Sequence, residues 1–254
     1  MKDASHDLHT DIEKEEEAKE GLIPKEEGPP ERTDIVLYAV LGTIIAILLV
    51  LVFGWRLVFP TEPAYSLDEL HELNLAGDLD PQRGYVYEGF SFVNFEDRWF
   101  TRFMRPNTTK VFDVELRFGP REAENVSLVG DPVPFIKENT QNATYVTFDP
   151  LQENLSFVAL AAADVTTALN KIFFISAYPA CTQNKTGTCH TLPTVTCTDG
   201  LPVILLRDAL TPSVVVNGSC IIVEGKNMEL VRAADRLLLE WYGAGPQGEG
   251  GFGE

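Results

Sequence analysis

The spacing of apolar residues changes character several times along the chain. From Ile35 to Trp55 (IVLYAVLGTIIAILLVLVFGW) 21 consecutive positions carry no charge. As a helix this segment is about 31 Å long, which matches a bilayer core of about 30 Å. Tyr38 and Trp55 near its two ends suit the interfacial aromatic belt. A cleavable signal peptide would be shorter, start near the N-terminus and end in a small-x-small site. Here Arg56 and Leu57 follow directly. The pattern predicts an uncleaved signal anchor over residues 35–56.

Beyond the anchor the period falls to two. Tyr85, Tyr87, Phe90, Phe92 and Phe95 form one aromatic run and Trp99, Phe100 and Phe103 a second, with a break at Asn94–Asp97. Two aromatic runs around a polar break predict a β-hairpin. Lys110 to Phe118 (KVFDVELRF) alternates strictly and predicts a half-buried strand. Thr144–Phe148 reads as a strand. Leu155, Val158, Ala159, Ala162, Val165, Thr166 and Leu169 then share one helical face, and Ile172–Ala177 (IFFISA) reads as a further strand. Strand, helix, strand predicts a right-handed βαβ crossover with a parallel pair.

Pro202–Leu206 is a short apolar strand, and Val214–Val223 turns at Asn217-Gly218 as a hairpin. A final amphipathic helix puts Leu230, Val231, Ala234, Leu237, Leu238 and Trp241 on its apolar face. Glu229, Arg232, Asp235, Arg236 and Glu240 fall on its solvent face, with Asn227 capping the start and Gly243 the end.

The expected architecture is a single transmembrane helix plus an α/β or α+β ectodomain over 85–243, with a mixed sheet carrying two amphipathic helices. Residues 57–84 form a neck with one helical turn at Ser66–Leu73, and 244–254 a flexible tail. Residues 1–34 carry 5 basic and 12 acidic residues, a net −7. Few of them are apolar, so this stretch is expected to be a disordered, acidic cytoplasmic tail.

Charge and asparagine usage sharpen the picture. The net charge of −18 excludes nucleic acid as the main partner, because phosphates are repelled. Five basic residues precede the span and Arg56 alone follows closely, which orients the N-terminus to the cytoplasm. All 11 asparagines follow the span, and six begin N-x-S/T without proline: Asn107, Asn125, Asn142, Asn154, Asn184 and Asn217. With 28 Ser plus Thr in 254 residues, chance gives about one such match. The enrichment places residues 57–254 outside the cell or in a lumen, exposed to N-glycosylation.

Cys181, Cys189, Cys197 and Cys220 lie on the same side, and four cysteines in an oxidising compartment read as two disulfides. Three connectivities are open. The short loop QNKTGT favours Cys181–Cys189, and with it Cys197–Cys220. No C-x-x-C pair is present, which argues against a structural metal site that uses these thiols with His190.

Catalytic signatures are missing. There is no G-x-S-x-G, no H-E-x-x-H and no glycine-rich phosphate loop; the turn after Phe148 reads DPLQEN. Of the histidines, His71 and His190 follow the span, and a Ser-His-Asp site could use His190, with no serine singled out. Asp113, Glu115, Asp149 and Asp208 could serve glycoside chemistry as pairs or bind calcium, but none shows D-x-D-x-D spacing. No catalytic residue, cofactor or metal is assigned.

The stretches IIVEGKNMELVRAADRLLLEWYG, GFSFVNFEDRWFTR and VELRFGPREAENV resemble stretches of single-span archaeal membrane proteins with an extracytoplasmic α/β domain. The resemblance covers most of the ectodomain and implies topology and fold, but no reaction. The sequence therefore points to a glycosylated interaction or accessory subunit at the plasma membrane, single-pass, with its C-terminus extracellular. Its partners would be the lipid bilayer, through residues 35–56, and a protein of the membrane or envelope. The alternative is an extracytoplasmic hydrolase with dispersed carboxylates.

Overall fold

The computed structural model describes residues 32–58, 65–105, 108–138 and 142–246. The acidic segment before Arg32, part of the neck at 59–64, Asn107 and the tail after Pro246 lie outside the described residues. The chain divides into two compact units, one ending at Ala64 and one starting at Tyr65.

Among the described residues of the first unit, a helix, α1, runs from Arg32 to Val58. Its segment Ile35–Trp55 has a mean hydropathy of 3.1 and none of it is buried in the protein. By length and composition it can cross a membrane. Fully apolar on every side, it has no polar face to turn to water.

The second unit has a mixed α/β fold with two sheets rather than one. It opens with α2 (Leu67–Ala76), three turns where the sequence predicted one. A capping box explains the start: the Ser66 hydroxyl accepts the Glu69 amide, and the Glu69 carboxylate accepts the Ser66 amide at 2.8 Å. Gly77 ends it in the left-handed region, φ 81°.

Four antiparallel strands follow in simple order: β1 (Gly84–Tyr87), β2 (Phe90–Phe95), β3 (Arg98–Met104) and β4 (Val111–Leu116). The predicted hairpin is β2–β3, in which Phe95 pairs with Arg98 across Glu96–Asp97. Both turn residues take positive φ, 52° and 59°. The turn of β1–β2, Glu88–Gly89, does the same. Positive φ at both central positions is the mark of the tight turn that matches strand twist.

The second sheet has six strands in the order β5-β9-β10-β8-β6-β7. They are β5 (Ser127–Val129), β6 (Ala143–Phe148), β7 (Ser176–Cys181), β8 (Val203–Arg207), β9 (Ser213–Asn217) and β10 (Cys220–Glu224). Short helices α3 (Pro120–Ala123) and α4 (Val133–Lys137) flank β5. The predicted βαβ unit is present: β6 and β7 pair in parallel, joined by α5 (Leu155–Thr167). The β9–β10 hairpin turns through Gly218–Ser219, with Asn217 paired to Cys220.

The strand expected at Ile172–Ala177 is not where the sequence put it. Ala168–Phe173 continues the helix as π-helical turns, and β7 begins only at Ser176. The apolar run fits either element. Burial of Leu169, Ile172 and Phe173 in the core decides for the helix.

The last helix, α6 (Met228–Tyr242), overturns a second expectation. Asp235, Arg236 and Glu240 are buried, not on a solvent face, and twelve of the fifteen residues are buried. The chain between β4 and α3 reaches Asp235 through the Arg117 and Phe118 amides, and the chain after the helix brings Gly245 against Arg236 and Glu240. One hydrophobic core accordingly joins Phe92, Phe103 and Leu116 of the small sheet to Ile204, Ile221 and Leu237. Gly243 caps the end of α6 as expected, but Asn227 makes no side-chain cap.

Candidate functional site

The sequence-predicted carboxylates separate into two groups. Asp113 and Glu115 line a cleft of about 340 Å³ between β4 and α5, together with Arg117, Asp164, Lys171 and Tyr242. Every carboxylate there has a cation. Arg102 pairs with Asp113 at 3.3 Å, Arg98 with Glu115 at 3.7 Å, and Arg117 with Asp164 at 2.7 Å. Burial pushes the Tyr242 hydroxyl far above its ordinary range. Behind the cleft, Asp235 accepts the amides of Arg117 and Phe118 at 3.0 and 2.8 Å, while its other oxygen has no partner. Burial raises its carboxyl well above the usual carboxylate range, with the Asp164 charge adding to the effect and the two amides opposing it. This group is a structural network that ties the small sheet to α5 and α6.

Asp149 and Asp208 come together elsewhere. They line a crevice of about 500 Å³ at the carboxyl ends of β6, β7 and β8. From β6 the chain leaves for β7 on one side, and from β8 it leaves for β9 and β10 on the other. Such a switch point opens a crevice outside the strand ends, the usual ligand position in open α/β sheets. Its floor is Leu205 and Ile222, direct neighbours across β8 and β10. One wall is the disulfide-bearing loop at Thr196–Thr198.

The rim is held in place from several sides. Asp149 accepts the Leu151 amide at 2.9 Å and the Gln183 side-chain amide at 2.7 Å. Gln152 accepts the Asp208 amide at 2.9 Å. Arg207 donates through Nε to Glu224 at 2.9 Å, and Ser213 donates to the same carboxylate at 2.8 Å. Burial pushes the Glu224 carboxyl up, but these two donors outweigh it and hold it below its usual range. Among the described residues the Asp208 carboxylate takes no hydrogen bond or ion pair.

The two described histidines lie apart from both clefts. His190 sits exposed in a single helical turn of the disulfide loop. His71 is 1% exposed, with Nδ1 2.9 Å from the Ser91 hydroxyl. Burial, reinforced by the Arg102 charge, lowers its pKa and keeps the ring neutral. Ser91 also accepts Asn74 at 2.7 Å, and Asn74 donates to the carbonyls of Tyr85 and Phe92. With His71 sealed from solvent, the pair serves to fasten α2 onto β1 and β2. The sequence offered one signal for it: Leu70, His71 and Asn74 share a helical face.

The cysteines pair as Cys181–Cys189 and Cys197–Cys220. The first closes the loop after β7, and the second ties that loop to the start of β10. Among the described residues no cluster of His, Cys, Asp or Glu could hold a metal ion. Asn125, Asn142, Asn154, Asn184 and Asn217 are all exposed, each at a turn or the end of an element. Compared with protein-family models, curated proteins and solved structures, the chain matches none.

Proposed function

We propose that the chain is a membrane-anchored, glycosylated cell-surface interaction or accessory subunit, without catalytic activity of its own. Its N-terminus lies in the cytoplasm and its C-terminal unit outside the cell, beside a protein partner of the membrane or envelope. The observation that carries this reading is the uncharged helix Ile35–Trp55, followed in the chain by a unit closed by two disulfides. The exposure of every described sequon asparagine supports it. Gentle detergent extraction of the tagged native protein, with mass spectrometry of what accompanies it, is the test. A stoichiometric set of membrane subunits is expected. Recovery of the chain alone overturns the accessory reading.

One observation favours a second reading, an extracytoplasmic hydrolase: Asp149 and Asp208 share one crevice. Two carboxylates across a cleft are the equipment of glycoside hydrolysis. A hydrolase requires that Asp208→Asn abolish turnover of a glycoside substrate, and full retention of turnover sinks this reading.

A further inference from the structure

We infer that the crevice at the carboxyl ends of β6 and β8 binds a neutral saccharide. This deepens the interaction reading by naming the chemistry that the outer unit recognises, and it rests on that unit lying outside the cell.

An anion does not fit. Among the described residues Arg207 is the one cation lining the crevice, and Glu224 already neutralises it, while Asp149 and Asp208 add two negative charges. No glycine-rich loop offers backbone amides to a phosphate. A wholly apolar ligand does not fit either, because among the described residues Leu205 and Ile222 are the only large aliphatic side chains in the lining and polar groups surround them.

A sugar ring satisfies both parts. Its C–H face lies on Leu205 and Ile222, and its hydroxyls donate to the unpartnered carboxylate of Asp208 and the free lone pairs of Asp149. The Thr182 hydroxyl can donate or accept in turn, while the Thr196 hydroxyl, which donates to Asp199 at 3.1 Å and lies 2.9 Å from that of Thr198, leaves this pair to accept. The volume, about 500 Å³, falls within the roughly 300–1,000 Å³ of small-molecule clefts. The recognition atoms are also pre-set: Asp149 is fixed by two donors, and the disulfide Cys197–Cys220 anchors the threonine-bearing wall to β10. Held groups lose little freedom on binding.

Two of the sequon asparagines stand two positions along the chain from residues that line the crevice. Asn154 follows Gln152 by two residues, and Asn184 follows Thr182 by two; both are exposed. The saccharide therefore has two possible sources, a free or partner-borne glycan and the chain's own.

The test is calorimetric titration of the full-length protein in nanodiscs with chitotriose, mannotriose and maltotriose. Spermidine and inorganic phosphate serve as comparison probes. At least one trisaccharide is expected to bind, and phosphate is not. Asp208→Asn is expected to weaken binding at least tenfold with an unchanged thermal midpoint, since the carboxylate makes no internal bond. Thr198→Val, a second variant at the wall, is expected to weaken it as well. Spermidine binding in place of a saccharide overturns the inference. So does saccharide binding that is equal in the parent and both variants, or no saccharide binding before and after removal of N-glycans. Binding that appears only after that removal identifies the chain's own glycan as occupant, and binding in both states identifies an external one. The interaction reading fails separately, through the absence of co-purifying subunits.

Discussion

Asp235 on α6 accepts the backbone amide of Phe118 at 2.8 Å, across 117 residues of sequence. A carboxyl placed in the middle of the core thereby ties the central helix to the chain leaving the small sheet. Its second oxygen is buried without a partner, so the protonated form is favoured.

The first prediction follows from that proton. The folded-state pKa of Asp235 lies above its unfolded value, so in the window between the two the native state holds a proton that the unfolded chain has lost. Its contribution to stability is fully present in acid, below the ordinary carboxylate range. It declines as pH rises toward the raised folded value. Asp235→Asn keeps an acceptor for the two amides and removes the titration. Urea unfolding of parent and variant from pH 4 to 8 should show the parent losing stability relative to the variant as pH rises. Parallel profiles would show that Asp235 is ionised in the fold.

Arg236 and Glu240 form a buried ion pair one turn apart on the same helix. Arg236→Met leaves the Glu240 carboxylate buried without its cation and should cost about 3–5 kcal/mol. Adding Glu240→Leu should recover most of that loss, since a well-packed apolar pair replaces a buried ionic one at little cost. Chemical denaturation of the single and double variants reads both numbers.

The disulfides should contribute unequally. Cys197–Cys220 closes a loop with a separation of 23 residues and Cys181–Cys189 one of 8. On chain entropy alone these are worth about 3.4 and about 2.5 kcal/mol. Paired Cys→Ser variants, compared by thermal unfolding, should rank in that order. Non-reducing peptide mapping checks the connectivity itself.

The β2–β3 turn holds two ordinary side chains at positive φ, Glu96 at 52° and Asp97 at 59°. Glycine enters that region without a Cβ penalty, and Asn-Gly is the preferred pair for this turn. Replacing Glu96-Asp97 by Asn-Gly should stabilise the unit by about 0.5–1 kcal/mol. A lowered thermal midpoint would mean that the two acidic side chains do more than fill a turn.

Burial of α6 inside a shared core explains why charged residues occupy the side that its period marks as solvent-facing. Periodicity reports which side of a helix is more apolar, not whether another layer covers the remaining side. Asp235, Arg236 and Glu240 look like solvent-facing charges until the chain after β4 meets Asp235 and the chain at Gly245 meets the other two. The run KIFFI similarly fits a strand or a helix by composition, and the core contacts of Ile172 and Phe173 settle it.

What the sequence determined by itself is what short-range physics fixes. The 21-residue uncharged helix, the β2–β3 and β9–β10 hairpins, the βαβ crossover and the capping of α6 by Gly243 all follow from local period, turn chemistry and chain length. Tertiary structure alone decided what depends on strand order and on contacts distant in sequence. It split the strands into two sheets, buried the charged side of α6, paired His71 with Ser91 rather than exposing it, and brought Asp149 and Asp208 to one crevice. Those two carboxylates stand 59 positions apart in the chain. Only the placement of β8 directly beside β6, with β7 on the far side, makes them neighbours.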